Sequence, residues 1–334
     1  MDGARSIWID NARAVACVMV IALHAAAPFL YQIDSISSSE WMFANIIDSF
    51  SRACVPIFFM ISGYFFLANA APTKKHFIRI ASALVFYSVV ALAYRWAIGH
   101  DLGLKNLIMI AVSPAFYHLW FFYAIITVYL LMSVVRLREG GAWTMATIIA
   151  AMLVLNPSIF EFPALLGRAF DVPSPGFLDG NIVYYLGYAC IGACFRQVRL
   201  NPRIPYLGLF LLSLYFASSL GIAAATFSKS ADVSSFVGTF YEYSSSLVIL
   251  QSISLFGAIH QSRSVWPLSQ VVSALSLPIY GLHAIILDAQ FGLGILNSDV
   301  SAIVAIPVSF LATLLISTMF AFAIRRVDRK NLVH

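Results

Sequence analysis

Apolar stretches of about twenty residues recur along the whole chain, and this repetition constrains the fold more than any other feature. A helix needs about 20 residues to cross the hydrocarbon core of a bilayer. Of the 334 residues, 61% are hydrophobic and 10% are charged, whereas about a quarter of a soluble domain is charged. The sequence therefore predicts an all-α polytopic membrane protein, with one integral-membrane domain over residues 1–334.

Window hydropathy predicts a bundle of about ten transmembrane helices. Their approximate bounds are 14–32, 43–69, 77–98, 117–135, 142–160, 180–196, 204–225, 236–259, 271–294 and 300–324. The apolar segment at 104–113 is too short to span, so we expect it to lie at the interface or to re-enter. The largest outside loop, at about 160–180, is rich in Pro and Gly. Asp2 and the lack of a small-residue cleavage site argue against a cleavable signal peptide.

The distribution of basic residues predicts the topology. With the N-terminus in the cytoplasm, the inside segments hold 15 Lys and Arg residues and the outside segments hold three. This bias places both termini in the cytoplasm and requires an even number of spans. The net charge of +5 is confined to short clusters between apolar runs, which is typical of membrane topology and argues against nucleic acid as a partner. The C-terminal "RRVDRK" also suits anionic membrane lipids.

All four cysteines lie inside apolar segments. Disulfides and structural zinc sites normally place cysteines in loops, so we expect these four to be small core residues. Cys190 and Cys194 have helical i,i+4 spacing, but no His or acidic residue nearby completes a ligand set. The sequence therefore predicts no metal site.

The first predicted helix carries two ionisable residues, Arg13 and His24. Their spacing is about three helical turns, so both side chains lie near one face, roughly 16 Å apart along the axis. An ionisable residue inside a membrane is costly unless it is paired or faces water. One interpretation is a histidine that hydrogen-bonds a neighbouring helix. The other is a site in which Arg13, at the cytoplasmic mouth, binds phosphate and His24, near mid-membrane, acts as a general base or nucleophile.

Five motifs carry a resemblance to a known family. They are "WIDNARAVACVMVIALHA" (8–25), "VPIFFMISGYFF" (55–66), "KKHFIRI" (74–80), "FYHLWFFYAI" (116–125) and "LPIYGLHAIIL" (277–287). In order and content they resemble the membrane acyltransferase-3 family. The matching features are Arg13 with His24, the Ser62-Gly63-Tyr64 element, Lys75 with Arg79, Trp120 with Phe121, and Tyr280 with His283. The spacing of Lys75 and Arg79 is looser than the usual pair of arginines in the family.

The resemblance implies a bacterial inner-membrane O-acetyltransferase. It implies acetyl-CoA as the cytoplasmic co-substrate and a hydroxyl of a cell-surface or lipid-linked glycan as the acceptor. His24 is then the catalytic residue, and Arg13, Lys75 and Arg79 hold the CoA phosphates. Within the family, the chain resembles in particular the members that stand alone and O-acetylate enterobacterial common antigen, and this resemblance implies N-acetylglucosamine of that polymer as the acceptor sugar.

The remaining polar residues of the spans are candidates for the acceptor pocket. Asp48 and Arg52 are spaced for an ion pair, which is either a structural clamp or a pocket wall. His118 and Trp120 lie near the outer interface, where they stack on a sugar or belong to an aromatic belt. Tyr280 and His283 face the thioester or the acceptor, or His283 makes an interhelical hydrogen bond. Ser62 completes the candidate pocket set.

Tyr241, Glu242 and Tyr243 are interpreted as an interfacial belt. Arg13 and His24 are expected to line one shared channel, wide enough for a thioester arm. Two other functions fit the same sequence. One is a transporter of a lipid-linked glycan or an acyl donor, although matched Gly-interrupted halves are absent from the sequence. The other is an acyltransferase that uses another group, such as succinyl.

Overall fold

The computed structural model describes residues 7–67, 70–100, 113–137, 141–155, 181–198, 206–262, 264, 266–296 and 299–334. Over these residues the chain forms helices and connecting turns. The α-helices are α1 (Ile7–Leu30), α2 (Ser38–Ser51), α3 (Cys54–Phe66), α4 (Lys74–Ala97), α5 (Trp120–Val134), α6 (Ala142–Val154), α7 (Ile182–Gln197), α8 (Leu207–Val233), α9 (Ser246–His260), α10 (Ser269–Ala274), α11 (Ser276–Gly292) and α12 (Ala302–Val327). Short 3₁₀ turns at Tyr117–Leu119 and Thr239–Tyr241 precede α5 and α9.

Within the part of the chain that the structure describes, six helical segments are long and apolar enough to cross a membrane. They are Ile7–Leu30, Ser38–Phe66, Lys74–Ala97, Tyr117–Val134, Leu207–Val233 and Ala302–Val327. The other four predicted spans correspond to the shorter helices α6, α7, α9 and α11, of 13, 16, 15 and 17 residues. The multi-pass all-α class is therefore confirmed, whereas ten spans and cytoplasmic termini stay predictions. Residues 104–112 and the whole of the loop at 160–180 lie outside the described residues.

Two predicted spans are each split into two helices, and a proline explains each split. Proline has no N–H for the carbonyl four residues earlier, and its ring clashes with that carbonyl. Pro56 therefore cannot bond the carbonyl of Arg52, and the helix is interrupted between α2 and α3 at Arg52–Ala53. Pro278 likewise cannot bond the carbonyl of Ala274, and Leu275 separates α10 from α11. Both interruptions lie beside the cavities described below.

Helix α1 lies at the centre of the bundle, where it contacts α2, α3, α9, α10, α11 and α12. In contrast, α4, α8 and α12 are mostly exposed. The exposed face of α12 carries large apolar side chains such as Leu311, Leu315 and Met319. Apolar side chains on the outside of a helical bundle suit contact with lipid. The polar site residues of α1 are therefore enclosed by protein and not by acyl chains.

Helices α3 and α7 pack backbone against backbone. A Cβ added to Gly63 would overlap the backbone of Ala189, and one added to Gly192 would overlap the backbone of Met60. Small residues allow such close approach in membrane bundles, where packing and hydrogen bonds replace the hydrophobic effect. This crossing brings Arg196, near the end of α7, beside Tyr64 of α3.

Buried polar side chains tie other helices together. Gln251 of α9 donates to the carbonyl of Ser49 on α2 at 2.7 Å and to Oγ of Ser219 on α8 at 2.6 Å. Asn45 of α2 donates to the carbonyl of Ala223 at 2.8 Å. Such interhelical hydrogen bonds satisfy polar groups that lipid cannot. They fix α2, and with it the position of Arg52.

Candidate active site

A cavity of about 630 Å³ lies among α1, α3, α4, α5, α7 and the α10–α11 interruption. We call it the basic cavity, because its charged lining residues are Arg13, Arg79 and Arg196, with His76 beside them. Its remaining lining is largely aromatic and aliphatic, and no Asp or Glu among the described residues contributes to it. A cation-rich cavity of this kind is suited to an anion with an apolar extension.

The three arginines of this cavity are held by different contacts. The guanidinium carbon of Arg13 lies 5.9 Å from the ring centroid of Phe65. The guanidinium of Arg196 lies 5.5 Å from the Tyr64 ring and donates to the Tyr64 carbonyl at 3.1 Å. An arginine side chain stacks on aromatic faces and also suits the recognition of phosphate. Lys75 is exposed and does not line the cavity.

Arg79 is engaged by the tail that follows α12. It donates to the carbonyl of His334 at 2.6 Å, and the hydroxyl of Tyr87 donates to the carbonyl of Val333 at 2.7 Å. Asp328 fixes the tail by accepting the backbone N–H groups of Val333 and His334 at 2.7 and 3.2 Å. Burial raises the pKa of Asp328, but these hydrogen bonds outweigh it, and the net shift of that pKa is downward.

A second cavity, of about 270 Å³, contains the ring of His24, and we call it the His24 cavity. Its lining combines an aromatic wall of Trp120, Tyr185 and Tyr243 with the polar groups of Arg52, Asn181 and Glu242. The ring centroids of the three aromatic residues lie 5.6 to 6.2 Å apart. Apolar walls with a few convergent polar groups are typical of small-molecule sites.

Arg52 reaches the His24 cavity from the interruption after α2. It forms an ion pair with the fully buried Asp48, one turn earlier. Its guanidinium carbon lies 4.1 Å from the ring centroid of Tyr241. The pair predicted from the i,i+4 spacing therefore exists. Asp48 does not line the cavity itself, so its contact with any ligand passes through Arg52.

Tyr280 lines both cavities and forms the wall between them. Its hydroxyl donates to the carbonyl of His118, and its ring packs on Phe121 and Phe122. Arg13 therefore lies in one cavity and His24 in the other. The single shared channel expected from the sequence is divided, because a side chain from α11 stands between two residues of α1.

Three histidines form a cluster behind the His24 cavity. The ring of His283 lies 5.2 Å from that of His24 and 5.0 Å from that of His118, measured between centroids. His283 and His118 are 0% and 1% exposed. His118 therefore does not face the outer interface as expected, and its Nε2 donates to the carbonyl of Gly281 at 3.1 Å. The 3₁₀ turn at Tyr117–Leu119 directs His118 inward and leaves Trp120 on the cavity wall.

The structure places several other predicted site residues differently from what the sequence led us to expect. Ser62 lines the basic cavity and not the His24 cavity, and its Oγ donates to the carbonyl of Phe58 at 3.0 Å. Glu242 and Tyr243 line the His24 cavity, and Tyr241 is buried, with its hydroxyl on Oδ1 of Asn45 at 2.5 Å. Tyr241 and Tyr243 therefore do not form an interfacial belt, whereas Glu242 is exposed. The 3₁₀ turn at Thr239–Tyr241 directs Tyr241 inward.

Sequence reasoning missed Arg196, Tyr185 and Asn181 as cavity residues. In the sequence, Arg196 is only one of the 15 basic residues of the inside segments, and no local pattern distinguishes it from its neighbours. The glycines of "LGYACIGAC" (186–194) could have indicated that α7 packs closely against another helix, because glycine allows such an approach. Within the described residues, no group of three or more His, Cys, Asp or Glu side chains could hold a metal ion. Cys17, Cys54 and Cys194 are buried, and Cys190 is partly buried.

Comparison with known proteins identifies the family of this chain. A family model described as "Acyltransferase domain" matches residues 6–322. The chain belongs to the acyltransferase-3 family. Membership in the acyltransferase-3 family indicates membrane acyltransferase activity, and it agrees with the resemblance carried by the five sequence motifs.

One curated relative is a serine/alanine racemase from Enterococcus gallinarum, which is 34% identical over 140 residues. The alignment covers 37% of this chain and 19% of the racemase. The chain therefore spans about a fifth of the length of the curated relative it matches. No solved structure matches the chain.

Proposed function

We propose that this acyltransferase-3 protein is a membrane O-acetyltransferase. It moves an acetyl group from cytoplasmic acetyl-CoA to a hydroxyl of an extracytoplasmic cell-surface glycan, in the bacterial inner membrane. The observation that carries the proposal is the pair of cavities that meet at Tyr280. One cavity suits a phosphorylated donor with an apolar arm. The other presents an imidazole, an aromatic wall and polar groups, which suit a sugar.

The donor site is the basic cavity. Acetyl-CoA carries phosphates at one end and a thioester at the tip of a long arm. The arginines Arg13, Arg79 and Arg196 would bind the phosphates, and the aromatic lining would hold the arm. Lys75, exposed outside the cavity, would attract the anion before it enters. Arg79 would exchange its contact with His334 for a phosphate oxygen.

The acceptor site is the His24 cavity. A sugar ring stacks well on an aromatic face, and Trp120, Tyr185 and Tyr243 offer such a wall. Arg52, held by Asp48, and Glu242 would bind the sugar hydroxyls. The motif resemblance favours N-acetylglucosamine of enterobacterial common antigen, finished or lipid-linked, as the acceptor.

Transfer requires the thioester to pass Tyr280 and reach His24. In the direct route, His24 takes the proton of the sugar hydroxyl while that oxygen attacks the thioester carbonyl. The C–O bond forms, the C–S bond breaks, and the thiolate of CoA receives the proton from His24. In the covalent route, His24 attacks first and forms an acetyl-imidazole, which the sugar hydroxyl then resolves. Recovery of an acetylated His24 peptide without acceptor would favour the covalent route.

The test uses purified protein in detergent with acetyl-CoA that is isotopically labelled in the acetyl group. We expect label to appear on an N-acetylglucosamine-containing glycan acceptor, and the His24→Ala variant to lose roughly 10²- to 10⁴-fold in kcat, because a general base contributes about that much. His260→Phe, which removes an imidazole outside both cavities, is the matched control. Equal rates for His24→Ala and the native protein would overturn the mechanism.

Detergent also separates this enzyme from the alternative function, a transporter of a glycan or an acyl donor. An acyltransferase works without a sealed compartment, whereas transport cannot be observed without one. Transfer of the labelled acetyl group in detergent therefore supports the acyltransferase function over the transporter function. Succinyl-CoA in the same assay distinguishes another acyl group, because the more efficiently transferred donor shows the higher kcat/KM.

A further inference from the structure

The histidine cluster contains a hydrogen-bonding arrangement that no part of the proposed reaction has used. Nδ1 of His283 lies 2.6 Å from the backbone carbonyl of Tyr280, one helical turn earlier. A carbonyl only accepts hydrogen bonds, so Nδ1 must carry the proton. In a neutral imidazole the other nitrogen, Nε2, then has a lone pair. That Nε2 is buried and has no hydrogen-bond partner.

The rings that contact His283 are those of His24, His118 and Tyr280. His118 uses its Nε2–H on the carbonyl of Gly281, so its free nitrogen, Nδ1, is also an acceptor. The hydroxyl of Tyr280 donates to the carbonyl of His118. Neither group has a proton left for His283. His24 is the remaining ring with an N–H to give.

His24 is placed to give that proton. Its ring centroid is 5.2 Å from that of His283, and the ring planes differ by 31°. An N–H···N hydrogen bond needs about 3 Å between nitrogens, so the partly exposed His24 ring must turn its N–H toward His283 to form it. On its other side, His24 faces its cavity and the edge of Tyr117.

We propose that His283 is a positioning residue that fixes the tautomer of His24. Nε2 of His283 accepts the N–H of His24, so the second nitrogen of His24 keeps its lone pair and faces the His24 cavity. This is the arrangement in which a base or nucleophile is oriented by a third group. The role in turnover rests on the proposed function, but the orientation of His24 does not.

Two substitutions of His283 separate this role from simple packing. His283→Gln places an oxygen near the position of Nε2 and removes the donor to Tyr280. His283→Asn keeps a donor near the position of Nδ1 and removes the acceptor for His24. A positioning role predicts that Gln preserves the state of His24 and Asn does not. A structural role, through the bond to the Tyr280 carbonyl, predicts the reverse.

The measurement is the rate at which diethyl pyrocarbonate modifies His24 in the purified protein, read by peptide mass spectrometry, with His76 as the internal reference. The lone pair of His24 attacks one carbonyl of the reagent, and ethyl carbonate leaves as ethanol and carbon dioxide. We expect near-native modification in His283→Gln and slow modification in His283→Asn. The acetyl-transfer kcat should follow the same order, with a roughly 10²-fold loss in His283→Asn.

Equal modification rates in all three proteins, or a higher rate in Asn than in Gln, would overturn the assignment. If modification follows the expected order while even the native protein transfers no acetyl group, the proposed function fails and the positioning role stands. Solid-state ¹⁵N spectra of histidine-labelled native protein give a readout without substitution of His283. The ¹⁵N signals of His24 are identified by their loss in His24→Gln. They should come from a single neutral tautomer, in which the same ring nitrogen is always protonated, and a mixture of the two tautomers would overturn the proposal.

Discussion

At the scale of single residues, helical spacing predicted the neighbours on α1 but not what separates them. Arg13 and His24 lie on one helix, as their spacing requires. The wall between their cavities is Tyr280, which comes from α11, far along the chain. No local pattern reports a contact of that sequence separation. For the same reason, the sequence identified Arg52 with Asp48 but missed Tyr185 and Arg196.

Arg13 and Arg196 lead to the residue-scale prediction. We expect Arg13→Ala and Arg196→Ala each to raise the KM for acetyl-CoA roughly 10- to 100-fold, because a hydrogen bond to a charged group contributes about 1.5–3 kcal/mol. The glycan KM should stay unchanged, since neither residue lines the His24 cavity. Arg136→Ala, at an exposed position beyond α5, is the matched control. Steady-state kinetics with each substrate varied in turn checks this, and a rise only in the glycan KM would contradict it.

At the scale of helices, composition predicted the class of every element, but not where helices break or how closely they approach. Pro56 and Pro278 are visible in the sequence, and each lacks the N–H that would bond the carbonyl four residues earlier, at the point where the helix is interrupted. The spans that contain them were nevertheless predicted as continuous, because hydropathy does not register a lost hydrogen bond. The α3–α7 crossing was not predicted, since glycines in a span indicate a close contact without naming the partner helix.

The glycine contact of α3 with α7 leads to the prediction at this scale. Gly192→Ala adds one methyl group where the backbone of Met60 already lies. We expect it to lower the free energy of unfolding by about 1–3 kcal/mol, as overpacking does. Gly292→Ala is the control, because its Cβ would meet no atom within 4 Å. Thermal unfolding in detergent can be followed with a thiol-reactive dye that reports the buried Cys17, Cys54 and Cys194. Equal midpoints for the two variants would refute the close packing.

At the scale of the whole molecule, the sequence established a multi-pass helical bundle but could not fix the number of spans. Apolar length is a local property, and it identified the six long segments. Helices such as α7 and α9 are shorter than the length that a helix needs to cross a bilayer. Helices inside the bundle also lack a lipid-facing apolar surface, so their sequences do not mark them clearly as spans. The sidedness of the bundle rests on the charge bias alone.

Cysteine labelling of intact cells tests that sidedness. Ser235 follows α8 and is exposed, and the charge bias places it outside, whereas the exposed Lys330 follows α12 and is placed inside. We expect a membrane-impermeant maleimide to label Ser235→Cys in intact cells, and to label Lys330→Cys only after the membrane is opened. The parent protein is the control for its four native cysteines. The opposite pattern would invert the topology and exchange the donor and acceptor sides.

The wall formed by Tyr280 has a consequence for energetics. Tyr280 lies where the two cavities meet, and the sidedness predicted from the charge bias places the donor on one side of its ring and the acceptor on the other. In the direct route, CoA enters as a thioester and leaves as a thiol of the same charge, while a neutral sugar hydroxyl becomes a neutral ester. The acetyl group that moves outward and the proton that moves inward cancel in charge, so we expect the acetylation rate to be independent of the membrane potential.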